Sequence, residues 1–391
     1  MNTAAPARPP VQRRLLAVVV VGALGLLGYI FGLGVRHAGL FLIGAALGVS
    51  LYHASFGFTG AYRRAIVHGD ISGISAQLAM LAAAMLLFAP ILAQGSAFGH
   101  DVGGALAPVS LSVALGAFVF GIGMQLGGGC ASGTLFSAGG GNLRTMLVLV
   151  FFCAGAFWGS LDLHWWNQLP GIGAVSLSRK FGWEIVLPMQ LGALVLIYFG
   201  LRLAGARNKR PIWWEHAFRW ENLLRGPWPL LLSAGLLALL NWAVLVTAGH
   251  PWSITWGFSL WGAKVAAGLG WDPATSSFWN GGYSLTALAR PVLADSISLT
   301  NAGILLGALI AASLAGRVSV SLPRSARSLA AAVLGGLLMG YGARLAYGCN
   351  IGSFFSGVAS ASLHGWLWIA CAIPGNVVGV YLRPLFGQSN D

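Results

Sequence analysis

Long apolar runs separated by short polar segments recur along the whole chain. Nine of them approach the roughly 20 residues that a helix needs to cross a bilayer. They cover residues 15–35, 76–92, 109–126, 143–161, 185–203, 229–247, 302–315, 329–345 and 363–382. Two further runs, 40–58 and 254–269, are interrupted by glycine and polar residues. The pattern predicts an all-α polytopic membrane protein with about ten spans.

The composition indicates that lipid surrounds part of the protein surface. Of 391 residues, 57% are hydrophobic and only 8% are charged, whereas about 25% of the residues in an ordinary soluble domain are charged. The mean hydropathy is +0.77. So few charges cannot cover a soluble fold, which argues against a soluble enzyme.

The net charge of +13 comes from basic residues that lie between the apolar runs. They form three clusters: Arg8, Arg13 and Arg14; Arg202, Arg207, Lys209, Arg210, Arg219 and Arg225; and Arg317, Arg324 and Arg327. Because basic loops stay in the cytoplasm, we predict three cytoplasmic clusters in a multi-pass protein of the cell inner membrane, with no nucleic acid as a partner. The first run lacks a clear cleavage site, so we expect a retained helix.

The chain contains an internal repeat. A shift of 219 residues lays 116–137 over 335–356 with nine identities in 22 positions, and both copies contain the frame Gly-Cys-x-x-Gly-x-x-Phe. The matched cysteines are Cys130 and Cys349. The domains predicted from this repeat are a cytoplasmic tail at 1–14, transmembrane halves at 15–205 and 227–391, and a basic cytoplasmic linker at 206–226.

Loop charge predicts that the two halves are inverted. If the linker is cytoplasmic, counting spans backward from it places the opening of the Cys130 segment on the cytoplasmic side. If the basic loop 317–327 is cytoplasmic, counting forward from it places the opening of the Cys349 segment on the outer side. The count requires residues 254–290 to enter and leave by the same face. Equivalent segments of inverted repeats commonly meet near the midplane of a transporter.

Both matched segments break their helices with glycine. Non-helical backbone at membrane depth is tolerated only where protein or a water-filled path satisfies it, and its free N–H groups suit an anion. We therefore predict broken or re-entrant helices beside a substrate pathway. The predicted pathway residues are Cys130, Cys349, Gly128, Gly129, Gly133, Gly348, Asn350 and Gly352. The alternative is close helix packing through glycine, although packing does not require a cysteine in both halves.

The four cysteines fall into two groups. Cys130 and Cys349 are matched and lie in glycine-rich backbone, so we expect their weakly hydrogen-bonding thiols to contact a soft, sulfur-bearing ligand. Cys153 and Cys371 lie in apolar runs and are not matched, so we expect them to pack as small hydrophobes.

One charged residue joins the candidates. Arg344 precedes Cys349 by five residues, and its counterpart in the first half is Gln125. Charged residues at membrane depth are functional candidates, so we predict that Arg344 attracts an anion, with snorkelling to an interface as the alternative. The sequence contains no metal-ligand cluster, nucleotide-binding loop or Ser/His/Asp set, and we expect no metal, cofactor or catalytic residue.

At these residues the chain resembles the YeeE/YedE family of sulfur-transport membrane proteins. The motifs that carry the resemblance are 340–350, which reads GYGARLAYGCN, and 127–133, which reads GGGCASG. The resemblance implies an inverted, hourglass-shaped fold in which cysteines at a central constriction pass thiosulfate by S–H···S contacts. On this sequence those cysteines are Cys130 and Cys349.

One motif departs from the family. Members that transport thiosulfate carry a further cysteine in an early motif of the form F-C-(F/Y)-T-x-A-(F/Y)-R. Here residues 56–63 read FGFTGAYR, with Gly57 in place of that cysteine. The chain is therefore one thiol short, which keeps other sulfur or selenium species open.

The sequence thus predicts a transporter rather than an enzyme. The expected function is uptake of a small sulfur-containing anion, above all thiosulfate, across the inner membrane through a cysteine-lined pathway. The alternatives are a membrane thiol-redox enzyme that uses Cys130 and Cys349, although the chain lacks a C-x-x-C pair, and a transporter of another solute. Expected partners are thiosulfate or a related anion and membrane lipids, and a soluble sulfur-accepting protein is compatible with the sequence.

Overall fold

The computed structural model describes residues 9–215, 219–320 and 325–390, and most of them are helical. The helices of the first half are α1 Arg13–Leu33, α2 Val35–Ala54, α3 Phe58–His68, α4 Ser72–Gln94, α5 Leu111–Gly127, α6 Ala131–Gly139, α7 Leu143–Trp166, α8 Leu177–Phe181 and α9 Trp183–Leu203. Those that follow are α10 Trp220–Arg225, α11 Leu230–Ala248, α12 Thr255–Gly268, α13 Gly282–Ala289, α14 Ser296–Ala315, α15 Ala326–Leu345, α16 Ser356–Ala359 and α17 Leu363–Leu382.

The remaining elements are short. A π-helical turn at Asn350–Phe355 leads into α16, and single 3-10 turns occupy Pro273–Thr275, Val292–Ala294 and Arg383–Phe386. Two antiparallel pairs join β1 Ser96–Ala97 to β2 His100–Asp101 and β3 Pro108–Ser110 to β4 Gly171–Ala174. These pairs connect loops and contribute little to the core.

Ten helical segments of the described chain are long and apolar enough to cross a membrane. They are Arg13–Leu33, Val35–His68, Ser72–Gln94, Leu111–Gly139, Leu143–Trp166, Trp183–Leu203, Leu230–Ala248, Ser296–Ala315, Ala326–Ala359 and Leu363–Phe386. The predicted membrane class and span count are therefore confirmed. The interrupted run 40–58 contains the end of α2, whereas the run 254–269 forms α12, whose 14 residues are too few for a full span.

The structure brings the three basic clusters to one face, which we call the linker face. The backbone N–H of Gln12 donates to the Ser313 carbonyl at 3.1 Å. Arg225 Nε donates to the Leu314 carbonyl at 3.2 Å, which joins the linker to the end of α14. Arg8 and Arg324 lie outside the described residues. The clustering agrees with a shared membrane side, while the domain boundaries stay predictions.

The two halves repeat one order of elements around their matched cysteines. In the first copy, α5 ends just before Cys130, the short α6 follows it, and α7 begins after a tight turn. In the second copy, α15 ends before Cys349, the π-turn and α16 follow, and α17 begins after a tight turn. The predicted broken helices are thus present in both copies.

Equivalent helices α5 and α15 pack in opposite directions. A β-carbon on Gly116, near the start of α5, would lie 2.8 Å from the backbone of Ala346, just after the end of α15. A β-carbon on Gly123 would lie 2.7 Å from the backbone nitrogen of Met339, further back along α15. An inverted repeat requires this antiparallel arrangement of matched helices. The inversion of the complete halves and the hourglass shape remain predictions.

The segment between α11 and α14 begins and ends at one place. His250 Nε2 lies 3.0 Å from Ser296 Oγ, so the residues after α11 meet the first residue of α14. This contact agrees with the expectation that residues 254–290 enter and leave by the same face.

The linker is tied to the start of α4 by a buried carboxylate. Asp70 accepts hydrogen bonds from the backbone N–H of Ser72 and from Arg210 Nε, both at 2.9 Å. Burial raises the pKa of Asp70, but hydrogen bonds from Ser72, Lys209 and Arg210 outweigh burial and hold the pKa at about 2. Asp70 is therefore ionised at neutral pH, which keeps the linker attached beside α3.

Single cysteines at equivalent repeat positions test the inversion. Leu106 and Ser325 are related by the 219-residue shift, and both are exposed. In a background without the four native cysteines, Leu106→Cys and Ser325→Cys are expected to react with a membrane-impermeant maleimide from opposite faces, because α5 and α15 start on opposite faces. Labelling of intact cells and inverted vesicles gives the measurement, and labelling of both positions from one face contradicts the inversion.

Candidate functional site

The matched cysteines occupy the same position in their local folds. Cys130 precedes α6 and Cys349 precedes the π-turn, each as an extended N-cap residue with φ of −83° and −107°. Their side chains are buried, with 1% and 0% of the surface exposed. The chain reaches these positions through Gly128 at φ +84° and Gly348 at φ +155°, conformations that favour glycine.

Backbone N–H groups lie near both sulfur atoms. Those of Phe58, Ser132 and Gly133 lie near Cys130 Sγ, and Ser132 Oγ lies 3.3 Å from the same sulfur. The N–H of Ile351 lies 3.4 Å from Cys349 Sγ. The two short helices that follow the cysteines, α6 and the π-turn, contact each other. The N-terminal end of a helix favours negative charge because its N–H groups and the helix dipole point toward it, so both sites suit an anion.

The remaining predicted glycines leave little room around these thiols. A β-carbon on Gly133 would lie 3.7 Å from Cys130 Sγ, and one on Gly129 would lie 3.2 Å from the backbone of Gly133. On Gly352 it would lie 3.2 Å from Ser253 Oγ, and on Gly348 it would lie 2.6 Å from Ser353 Oγ. Glycine therefore lets two short helices begin beside each other.

Helix α3 brings the early motif to the same place. Gly57 is its N-cap residue, in the position that Cys130 holds before α6. The Phe58 ring contacts Phe354 at a centroid distance of 6.4 Å, and Phe354 stacks on Trp368 at 6.5 Å. Trp368 Nε1 donates to the Gly348 carbonyl at 3.2 Å. Aromatic side chains from three separate segments thus pack together beside the two cysteine segments.

A cavity leads toward Cys349 from the face opposite the linker. It has a volume of about 190 Å³, and Gly352, Ser253, His250 and His364 are among its lining residues. A neighbouring cavity of about 480 Å³ shares Gly104 and Leu106 with it and includes Arg179. We call the two cavities together the outer vestibule. Arg179 and the polar lining of the outer vestibule give a small anion a basic approach to the segment that follows Cys349.

Arg344 is not brought into contact with the thiols. Its guanidinium carbon lies 4.4 Å from the centroid of the Phe278 ring, and its Cβ packs against Gly159 of α7. Within the described chain, no hydrogen bond or ring contact joins Arg344 to Cys130 or Cys349. The arginine belongs to a cation–π contact beside α7, and the predicted role in attracting an anion is not tested.

Two arginines that the sequence did not single out hold the end of α5. Arg144 Nη1 and Nη2 donate to the carbonyls of Gly127 and Leu126, each at 2.8 Å. Arg383 Nη1 donates to the Gln125 carbonyl at 2.7 Å. The C-terminal end of a helix carries partial negative charge, so both contacts stabilise the break before Cys130. The sequence signal that could have identified each of these arginines is a single charged residue at the border of an apolar run.

Gly57→Cys is expected to sharpen the selectivity for thiosulfate over sulfate without loss of folded protein. Among the described residues, the Ser55 carbonyl at 3.9 Å is the one neighbour within 4 Å of a β-carbon at this position, so there is room for a β-carbon. The measurement is the inhibition of labelled thiosulfate uptake by excess sulfate. Gly235→Cys on α11, where a β-carbon has no neighbour within 4 Å, is the matched control. Stronger inhibition by sulfate in the Gly57 variant contradicts the prediction.

The similarity to known proteins covers both cysteine segments. Residues 53–378 match the sulphur transport family. The chain is 29% identical over 349 residues to the thiosulfate transporter TsuA of Spirochaeta thermophila, across 86% of this chain and 95% of that protein. It is 25% identical over 369 residues to the thiosulfate transporter TsuA of Escherichia coli, across 88% and 94% of the two chains.

A shorter similarity concerns part of the chain. The probable transporter YedE of Salmonella typhimurium is 32% identical over 177 residues, across 44% of this chain and 42% of that protein. The match to the family extends over most of the chain and includes both frames around Cys130 and Cys349. The chain therefore belongs to the sulphur transport family.

Proposed function

We propose that the protein takes up thiosulfate across the inner membrane along a path that passes Cys349 and Cys130. The observation that carries the proposal is a pair of buried, matched cysteines, each at the N-cap position of a short helix. The two short helices, α6 and the π-turn, contact each other. Membership of the sulphur transport family and full-length similarity to two proteins named thiosulfate transporters support this substrate.

The backbone N–H groups and the thiols match the two ends of thiosulfate chemically. Its charge suits the N–H groups at the starts of α6 and the π-turn. Its terminal sulfur is soft and accepts a hydrogen bond from a thiol, which is a weak donor. Weak contacts at two adjacent sites favour transfer, because a substrate that is held too tightly at either site does not leave.

The route proceeds from the outer vestibule to the linker face. Arg179 and the polar lining of the vestibule concentrate anions, and Gly352 places the inner end of the vestibule beside the Cys349 segment. The substrate then passes from Cys349 to Cys130. The antiparallel packing of α5 and α15 supports an inverted architecture in which each half supplies one thiol.

A thiol-redox enzyme is the rival function. Such enzymes normally use a C-x-x-C pair, and the chain has none. Family membership favours transport, and Gly57 leaves other sulfur or selenium anions as alternative substrates of the same path. A soluble protein that accepts sulfur at the linker face is compatible with the proposal.

Uptake of labelled thiosulfate tests the proposal. The protein is expressed in cells that lack their own sulfur importers, and accumulation is compared with that of cells carrying an empty vector. Excess unlabelled thiosulfate should compete fully, whereas sulfate should compete poorly, because sulfate has no terminal sulfur for the thiols. Each buried group left unmatched costs about 1–3 kcal/mol, which is roughly a tenfold to hundredfold difference in selectivity.

Two results would overturn the proposal. Absence of thiosulfate accumulation by protein that is present in the membrane would exclude thiosulfate as the substrate. Equal competition by sulfate and thiosulfate would show that the thiols do not recognise sulfur. Selenite in the same competition assay distinguishes a selenium substrate from thiosulfate.

A further inference from the structure

Hydrogen-bonding groups without partners lie beside the two thiols. Asn350 follows Cys349 directly and is 0% exposed, and its Oδ1 atom has no hydrogen-bond partner. Thr59 on α3 is 2% exposed, and its hydroxyl also has no partner. Leaving a buried polar group unpaired costs free energy, so buried unpaired groups that gather at one place indicate a ligand.

Tyr62 joins Asn350 across the two halves of the protein. Asn350 Nδ2 lies 3.5 Å from Tyr62 Oη, a long hydrogen bond in which the tyrosine accepts. Tyr62 is 3% exposed, and its ring contacts Phe58, whose N–H lies near Cys130 Sγ. The tyrosine and the amide therefore connect the start of α3, beside Cys130, to the residue that follows Cys349.

The pair retains a free donor in either orientation of the amide. With Nδ2 toward Tyr62, the tyrosine O–H proton has no acceptor among the described residues, and Asn350 Oδ1 has no partner among them either. If the amide is turned over, the tyrosine donates to Oδ1 and both N–H protons of Asn350 are free. Each arrangement leaves a hydroxyl or amide proton available beside the thiols.

These donors differ in kind from the thiols. Helix α3 carries the family motif in which a third cysteine is expected, but Gly57 supplies no side chain there. The same helix carries a tyrosine hydroxyl and a threonine hydroxyl, and the N–H of its first residue, Phe58, lies near Cys130 Sγ. Hydroxyl and amide N–H groups are stronger donors than a thiol, and they suit charged oxygen atoms. The site thus combines soft and hard donors.

We propose that Tyr62 and Asn350 form an oxygen-recognising subsite that donates hydrogen bonds to the oxygen atoms of the substrate while Cys130 and Cys349 contact its terminal sulfur. This inference rests on the proposed transport function. The subsite orients an anion that has oxygen at one end and sulfur at the other. Such an orientation gives specificity for sulfur oxyanions over anions that contain sulfur but no oxygen.

Tyr62→Phe tests the subsite because it removes one hydroxyl and keeps the ring that packs on Phe58. The KM for thiosulfate uptake is expected to rise about tenfold, which corresponds to one lost hydrogen bond to a charged group. The maximal rate per amount of membrane protein should change little. Hydrosulfide, which has no oxygen, should inhibit uptake at the same concentration in the variant and the wild type. Tyr381→Phe, at a position that is 76% exposed, is the matched control.

The outcomes separate this inference from the transport function. If the wild type does not take up thiosulfate, or if Cys130→Ala leaves uptake unchanged, the transport proposal is wrong and the inference falls with it. If uptake depends on Cys130 but Tyr62→Phe keeps the wild-type KM, only the inference is overturned. An equal weakening of thiosulfate and hydrosulfide would assign Tyr62 a purely structural role and also overturn it. Should Tyr62→Phe fail to reach the membrane, Asn350→Ala is read by the same criteria.

Discussion

Cys130→Ala or Cys349→Ala is expected to abolish thiosulfate uptake while the protein still reaches the membrane. Both thiols are buried at the same helix N-cap position, and each is the soft donor of its segment. Alanine preserves the backbone and removes only the sulfur. The expected loss is therefore one of recognition, with a small cost in packing. Accumulation of labelled thiosulfate, normalised to the amount of membrane protein, gives the measurement.

Cys153 and Cys371 provide the matched controls. Both are partly exposed and lie within the long helices α7 and α17. Cys153→Ala and Cys371→Ala should keep uptake near the wild-type level, because alanine in an apolar helix loses contacts but no chemistry. Full uptake by the double variant Cys130→Ala/Cys349→Ala would exclude both thiols from the path.

Gly307→Val is expected to destabilise the fold. A β-carbon on Gly307 of α14 would overlap the backbone carbonyl of Ala45 on α2, and one on Gly303 would overlap the carbonyl of Phe41. The two helices touch backbone to backbone, so a side chain forces them apart. Overpacking of this kind costs about 1–3 kcal/mol or more. The thermal unfolding temperature of the purified protein in detergent should fall sharply.

Gly192→Val separates packing from the intrinsic effect of valine. Gly192 lies on α9, and a β-carbon there meets no atom within 4 Å. Both variants replace a helical glycine by the same β-branched residue, so only the contact differs. Equal unfolding temperatures for the two variants would show that the contact between α2 and α14 is not tight.

Local pattern was sufficient for the spans and for the two breaks. Hydropathy predicts a span because a spanning helix depends on the summed hydrophobicity of about 20 consecutive residues and on no other segment of the chain. The frame around Cys130 predicts a helix break because glycine at Gly128 acts through its own backbone torsion angles. Both properties depend only on residues within one short segment, so the sequence alone is sufficient to predict them.

Contacts between distant segments were not available from the pattern. Arg344 lies near Cys349 in sequence, but the turn between them lets the guanidinium stack on Phe278, which belongs to a segment far away in the chain. Tyr62 looked like an ordinary member of its motif, and its position beside Asn350 depends on how α3 packs against the second half. One sequence alone gives no information about the distance from Arg344 to Phe278 or from Tyr62 to Asn350.

The glycine contacts constrain how any opening takes place. Gly340 of α15 lies against the backbone of Phe152, and Gly375 of α17 lies against the backbone of Phe118 on α5. Helices with no side chain between them cannot slide or tilt without breaking many contacts at once. The buried aromatic side chains beside the thiols do not hold two backbones in contact in this way, and rotamer changes are much faster than movements of whole domains. We therefore expect an aperture that opens by ring rotation within a static frame, with throughput closer to that of a channel than to that of a rocking carrier.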